Sequence, residues 1–489
     1  MAAPLACMAQ NAFTSGNILV SSSTYAGTAS TVVVGQALPI SPVAYANSNG
    51  TYPGVFNNDT ADANFGITSP IVITEYTPAG VATGRSVSVP ATQLVTSFSS
   101  KSELGLSLST DGTAVTFMGY PSANVNELDL SNAATPGQAS GTGDTANPTY
   151  RAVLQLNADG TLTGPTEIVA YSGDNARNAI LAGGNYYSVG STGGTVATLS
   201  GAQIFAPLSV PPSNATSLGS YNAGDNKVSK DNNFRGLTIF NNTLYTSKGS
   251  GSKGVNTVYQ VGASGTLPTG SGNAVTILPG FPTSGTATHP FGLWFANATT
   301  LYVADEGDGI YTDIGLSANG PAGLSKYVLV SGTWQLAYTL TGGLNINAPT
   351  PYTISGPAGA SYVTAPDGLR NITGRVNNDG TVTIYAVTST ASSAASLAAG
   401  TAAYDEGCDP NQLVVVNDVL ANTSPSVGAT ENFTVLLTAQ FGEVLRGVSF
   451  TPQVPQVYGE PAMPWQALVV LALVLAAGGY LALPKNRTA

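Results

Sequence analysis

One unit recurs along most of this chain, and the recurrence limits the folds open to it. Five segments align as a strand, a tight turn and a second strand: ELGLSLSTDGTAVTFMGY (103–120), ARNAILAGGNYYSVG (176–190), FRGLTIFNNTLYTSKG (234–249), PFGLWFANATTLYVADEG (290–307) and LRNITGRVNNDGTVTIYAVT (369–388). A sixth first strand, LRGVSFTPQ (445–453), has no second strand after it, and GNILVSSSTY (16–25) near the other end has no first strand before it. Within each segment apolar and polar residues alternate with period two, rich in Val, Thr and Tyr, which is the pattern of half-buried strands. The turns carry Asp111-Gly112, Asp379-Gly380 and, in an outer hairpin, Asp159-Gly160. These supply the positive φ that a two-residue hairpin turn requires.

Outer strand pairs follow in GLSKYVLVSGTWQLAYTL (323–340) and in NQLVVVNDVL with FTVLLTAQ. A four-stranded unit repeated every 55–80 residues reads as a propeller blade. The fold class is therefore all-β, a six-bladed β-propeller with seven blades as the alternative count. Pairing of 445–453 with 16–25 would stitch the two ends into one blade and remove the open edge of a linear array. A pair of β-sandwiches or a β-solenoid is the competing architecture.

The tail obeys a different pattern. Residues 465–483 read WQALVVLALVLAAGGYLAL, nineteen positions without a charge. At 1.5 Å per residue that is a helix of about 28 Å, enough to cross a bilayer. Lys485 and Arg487 follow, which orients the C-terminus to the cytoplasm and residues 1–464 outside. The expected organisation is 1–12 as the remnant of a signal peptide, 13–453 as the propeller, 454–464 as a linker, 465–483 as a transmembrane helix and 484–489 as a short basic tail. The protein is expected in the cell envelope, exported and anchored by that one segment.

Composition removes several classes of function. Only 8% of residues are charged and the net charge is -11, which excludes the basic footprint of a nucleic-acid binder. A single histidine, His289, excludes His-rich zinc sites, and any serine-type triad would have to use it. Two cysteines, Cys7 and Cys408, do not make a disulfide scaffold.

Candidate site residues come from the alignment. Four of the eight arginines hold one aligned place at the start of a first strand: Arg177, Arg235, Arg370 and Arg446; Leu104 and Phe291 hold it in the other two blades. First strands surround a propeller's central channel, so these guanidiniums should ring its mouth. They would bind carboxylate, sulfate or sugar groups there, or tie blades together through the acids that precede them: Asp174, Asp231, Asp367 and Glu443. Two acidic loops, Asp305-Glu306-Gly307-Asp308 and Asp405-Glu406-Gly407-Cys408-Asp409, are candidate calcium ligands on the same face. His289 stands beside them in the sequence of the mouth.

The segment HPFGLWFANATTLYVADEGDG resembles an NHL-type propeller repeat at Pro290, Gly292, Leu293 and Leu301 through Asp305. Phe291-Gly292-Leu293 with Asp305 is also similar to the metal-bearing mouth of gluconolactonase-type propellers, with Phe where that pattern has Asn. The tail, with Glu460-Pro461 and Pro464-Trp465 ahead of its apolar run, resembles the exosortase or rhombosortase sorting signals of bacterial surface proteins. Together these readings imply a surface module that binds a glycan or another surface protein through its long loops. The alternative is a lactonase-like hydrolase or lyase with calcium at the channel mouth.

Overall fold

The computed structural model describes residues 12–454 apart from short stretches of connecting loop, the longest being 53–65, 140–146, 194–198, 310–315, 347–351 and 393–407. The chain divides into two compact units, Met1–Gln453 and Val454–Ala489. The apolar run 465–483 lies outside the described residues, and no helix among those described is long and apolar enough to cross a membrane.

Six four-stranded antiparallel blades build the first unit. The closing blade orders Glu443–Phe450, Ile18–Thr24, Ile71–Tyr76 and Ala82–Val89 from the inside out. Here the C-terminal strand pairs with the N-terminal one, Ile18 opposite Phe450 and Thr24 opposite Glu443, so the expected stitch is present. The second blade begins with Ser107–Leu108 and Ala114–Gly119, the third with Ala176–Ala182 and Asn185–Gly190, and the fourth with Leu237–Phe240 and Thr243–Lys248. The fifth begins with Pro290–Asn297 and Thr300–Asp305, the sixth with Ser361–Val376 and Thr381–Ser392. The sixth blade also carries an added edge strand, Tyr352–Ser355, on the early part of its long inner strand.

Alternation along each strand explains the closed ring. Successive residues point to opposite sheet faces, and each face meets a different neighbouring blade. Phe117 enters the core shared with the closing blade, while Met118 enters the core shared with the third. Tyr302 and Val303 divide in the same way between the sixth and fourth blades, and Ile384 and Tyr385 between the fifth and the closing blade. Each such aromatic, fully buried, contributes on the order of 1.5–3 kcal/mol through the water it excludes. Six wedge-shaped cores result, one per junction, and no junction is left open.

The turns differ in part from expectation. Asp111-Gly112, Asp159-Gly160 and Asp379-Gly380 are not two-residue turns; at the first, Ser109 N–H donates to Ala114 O, which leaves a four-residue loop. Gly160 N–H donates to Asn157 O and Asn157 N–H to Thr161 O, which makes a three-residue loop; Asn377, Gly380 and Thr381 repeat the arrangement. Only the glycine has positive φ, and the aspartate carboxylate accepts from the N–H two residues on. Two-residue turns with positive φ at both positions occur at Gly183-Gly184 and at Asn241-Asn242, where φ is 47° and 53°.

Candidate functional site

The aligned arginine column sits one residue before a column of small residues. Around the ring the pairs are Leu104-Gly105, Arg177-Asn178, Arg235-Gly236, Phe291-Gly292, Arg370-Asn371 and Arg446-Gly447. The small column is where neighbouring inner strands touch. A Cβ on Gly236 would collide with the Phe291 carbonyl, and one on Gly292 with the Arg370 carbonyl. Asn371 instead reaches across, its Nδ2 donating to Arg446 O at 2.7 Å. Asn178 and Asn371, from the third and sixth blades, both lie 3.0 Å from the position of a Cβ on Gly105. Those two blades face each other across a six-membered ring, so the channel is bridged at this layer.

The arginines lie just outside that bridge and are 3%, 6%, 2% and 3% exposed in chain order. Such burial leaves no guanidinium turned to solvent, so each is engaged within the protein. Arg177 pairs with Asp174 at 3.5 Å, donates from Nε to Ser102 Oγ at 2.9 Å and from Nη1 to Phe234 O at 2.9 Å. Burial pulls its pKa down to about 10 against the attraction of Asp174, so it stays a cation at neutral pH. Arg235 and Arg370, from the fourth and sixth blades on either side, converge on Glu306 of the fifth blade at 3.6 Å and 3.1 Å. Arg235 also donates to Ser250 Oγ and lies over the Phe291 ring. Arg446 donates to Phe98 O. Glu443, by contrast, accepts from Gln440 N–H on its own loop.

The acidic loop after Thr300–Asp305 completes this clasp. Asp305 accepts from His289 N–H at 2.9 Å and from Gly307 N–H at 3.0 Å. Burial raises its pKa, with the two N–H groups opposing. Glu306 N–H returns to His289 O, and Asp367 accepts from Gly309 N–H at 2.8 Å. His289 Nδ1 is buried without a hydrogen-bond partner among the described residues. Asp308 is half-buried. Asp409 lies apart, under the sixth blade, accepting from Thr364 Oγ1 at 3.2 Å; Asp405 and Glu406 lie outside the described residues. No group of three or more His, Cys, Asp or Glu side chains that could hold a metal ion occurs among the described residues.

Sequence reasoning missed two features. Arg151 starts the third strand of the second blade and is fully buried, donating to the carbonyls of Ser131, Ala133, Thr149 and Asp174. The second is a cavity of about 220 Å³ at the other end of the inner strands, toward the tight turns. All six blades reach it, through Leu108, Ile180, Ile239, Trp294, Thr373 and Phe450. The Gly/Asn column was the readable signal: it closes the channel at the arginine end and so makes the opposite end a blind pocket.

These sheets define a six-bladed β-propeller whose arginine end is closed and whose turn end is open. No protein-family model matches the chain, and no curated protein matches it. Among solved structures, a candidate gluconolactonase is 14% identical over 58% of this chain and 85% of its own, with a TM-score of 0.29. A glucose dehydrogenase is 11% identical over 61% of this chain and 91% of its own, with a TM-score of 0.31. A quinoprotein alcohol dehydrogenase-like protein from Bacteroides thetaiotaomicron is 11% identical over 80% of this chain and 86% of its own, at 0.27. Likenesses this distant carry no argument about activity, and the blade count rests on the strand pairing itself.

Proposed function

We propose that this chain is a displayed binding propeller. It is exported, held to a membrane by the apolar run 465–483 and its basic end, and offers its long-loop face to a glycan or another surface protein. The observation that supports this most is the condition of the channel mouth. Glu306 is shared by two guanidiniums, Asp305 by two backbone N–H groups, and Arg177 and Arg446 by carbonyls of the next blade. A reaction centre needs acids and bases free to exchange partners. A rigid disc that presents loops needs them fixed. The chain leaves the propeller at Gln453, whose N–H donates to Gly112 O in a tight turn, so the long loops occupy the face opposite its exit.

One observation favours a second reading. His289 Nδ1 is buried beside Asp305, whose proton affinity is raised, and has no hydrogen-bond partner among the described residues. A calcium-dependent lactonase-like hydrolase or lyase would use that corner, with Asp305, Glu306 and Asp308 turned to the ion.

The two readings separate in one set of measurements. Full-length chain behind a secretion leader should fractionate with membranes, and truncation after Val457 should release it; a truncated form still sedimenting with membranes defeats the anchor. The solubilised chain should give a saturable signal on an array of neutral and acidic glycans. It should show no turnover of gluconolactone, and no rise in Tm with millimolar Ca²⁺. Turnover, or a calcium-dependent rise in Tm, would transfer the assignment to the hydrolase.

A further inference from the structure

We propose that the turn-face end of the channel binds one neutral pyranose ring, either a free sugar or the terminal residue of an uncharged glycan. This site lies on the face opposite the long loops and does not depend on what those loops bind.

Size sets the first limit. The cavity holds about 220 Å³. An engineered apolar cavity of about 150 Å³ takes a benzene ring, and drug-sized ligands occupy roughly 300–1,000 Å³. One substituted six-membered ring is the matching guest. The Gly/Asn bridge closes the space behind it, so a chain of rings can enter only by its end.

Charge sets the second limit. None of the lining residues is Asp, Glu, Lys, Arg or His. Arg375, on the same inner strand as Thr373 and Gly374, lies over the Phe450 ring and is not in the lining. An ionised ligand would therefore lose water without meeting a counter-charge.

The polar groups on the wall set the third. Thr238 and Thr373 both line the cavity, and neither side-chain hydroxyl makes a hydrogen bond within the described residues. Five of the six inner strands are edges of their sheets, and the sixth, Ser361–Val376, is covered by Tyr352–Ser355 only at Ser361–Thr364, so beside the cavity their channel sides present backbone N–H and C=O groups that no strand among the described residues pairs. A purely apolar guest would strip water from these groups and offer nothing in exchange. A pyranose offers hydroxyls at its edge and C–H groups on its faces. The same wall provides for both, with hydroxyls and strand edges beside the side chains of Trp294, Phe450, Ile180 and Ile239.

The test uses the solubilised full chain. Saturation-transfer NMR and calorimetric titration would be run with the methyl glycosides of glucose, galactose, mannose and N-acetylglucosamine. Gluconate serves as the charged probe and toluene as the apolar one. At least one methyl glycoside should saturate. Thr238→Val with Thr373→Val, which keeps shape and removes both hydroxyls, should weaken it about tenfold or more with Tm unchanged. Thr238→Trp, which places a ring in the cavity, should abolish it. A trisaccharide ending in the preferred ring should bind as well as the methyl glycoside if glycan ends are the source, and should fail if only free sugars fit. The proposal is overturned if no neutral glycoside saturates, or if gluconate or toluene binds more tightly than all of them. It is equally overturned if binding survives unchanged in both variants, since the sugar would then sit elsewhere, as on the long-loop face.

Discussion

The same six inner strands end in opposite ways. At their first residues, charge and close backbone contact lock the ring: Arg235 and Arg370 meet on Glu306, and Asn371 bridges to the next blade. At their last residues, the walls stand apart around a cavity lined by Thr238 and Thr373, whose hydroxyls have no hydrogen-bond partner among the described residues. Buried charge at the first end holds the blades at a fixed spacing, because each guanidinium or carboxylate left alone there would be costly. The second end can stay open because that spacing is already fixed. A buried clasp also exists toward the turn face, but away from the axis. Lys326 Nζ lies 2.8 Å from Asp418, which also accepts from Tyr338 at 2.5 Å and from Tyr302, and so joins the outer strands of the fifth and sixth blades.

The sharpest way to break this contrast is to remove the shared acid. Glu306→Ala leaves two buried guanidiniums facing each other without their carboxylate. We expect a loss of about 3–5 kcal/mol in urea unfolding, the range for a buried pair stripped of one partner. A loss under about 1 kcal/mol would mean that water or neighbouring carbonyls replace the acid, and that the arginine end is not a lock.

Next in size is Gly236→Ala. The added methyl would meet the Phe291 carbonyl of the adjoining inner strand, and that strand cannot withdraw without disturbing its own blade. Overpacking of this kind costs about 1–3 kcal/mol. Thermal unfolding of the variant measures it. A neutral result would show that the small column is not where the blades touch.

How far these contacts could be read in advance follows from their range in sequence. The hairpins and the stitched ends were legible because strand alternation and turn residues act between neighbours, as in 369–388. The turns at Asp159-Gly160 and Asp379-Gly380 were read one residue too short, and that at Asp111-Gly112 two. Asn157 and Asn377 form the closing hydrogen bonds themselves, and nothing in the pair Asp-Gly reports that. The arginine column was legible as a column, and Asp174 was correctly placed against Arg177. Glu306 read as a calcium ligand because its partners come from blades 71 residues earlier and 64 later. The cavity depends on how all six strands lean, which no single segment encodes.

The outer clasp gives a pH test of intermediate size. Burial, reinforced by Asp418, pushes the Glu431 carboxyl up to about 8 from an ordinary value near 4.5. Burial alone would also raise Asp418, but hydrogen bonds from Glu431, Lys326, Tyr302 and Tyr338 outweigh it and hold Asp418 low. The fold therefore favours the neutral form of Glu431. Its contribution is full below about pH 4.5, declines as pH rises, and is gone above about pH 8. Glu431→Gln keeps an acceptor for Val419 N–H and a donor for Asp418 at every pH. The variant should lose the decline in Tm between those limits and match the parent at acid pH. An unchanged slope would remove Glu431 from the clasp, leaving Lys326 and the tyrosines to hold Asp418 alone.

The smallest effect sharpens the comparison from the open end. Thr373→Val replaces a hydroxyl with no partner among the described residues by a methyl of the same shape, so stability should change by less than about 0.5 kcal/mol. Ser109→Ala in the same cavity wall is the control. Its hydroxyl donates to Asp111 and accepts from the N–H groups of Thr113 and Ala114, so its loss should cost about 1–2 kcal/mol. Equal costs for the two variants would mean that the Thr373 hydroxyl has a structural partner after all, and the wall would then have one fewer group to offer a ligand. A near-zero cost for Thr373→Val beside a measurable one for Ser109→Ala would show that the cavity keeps polar groups its own fold does not use.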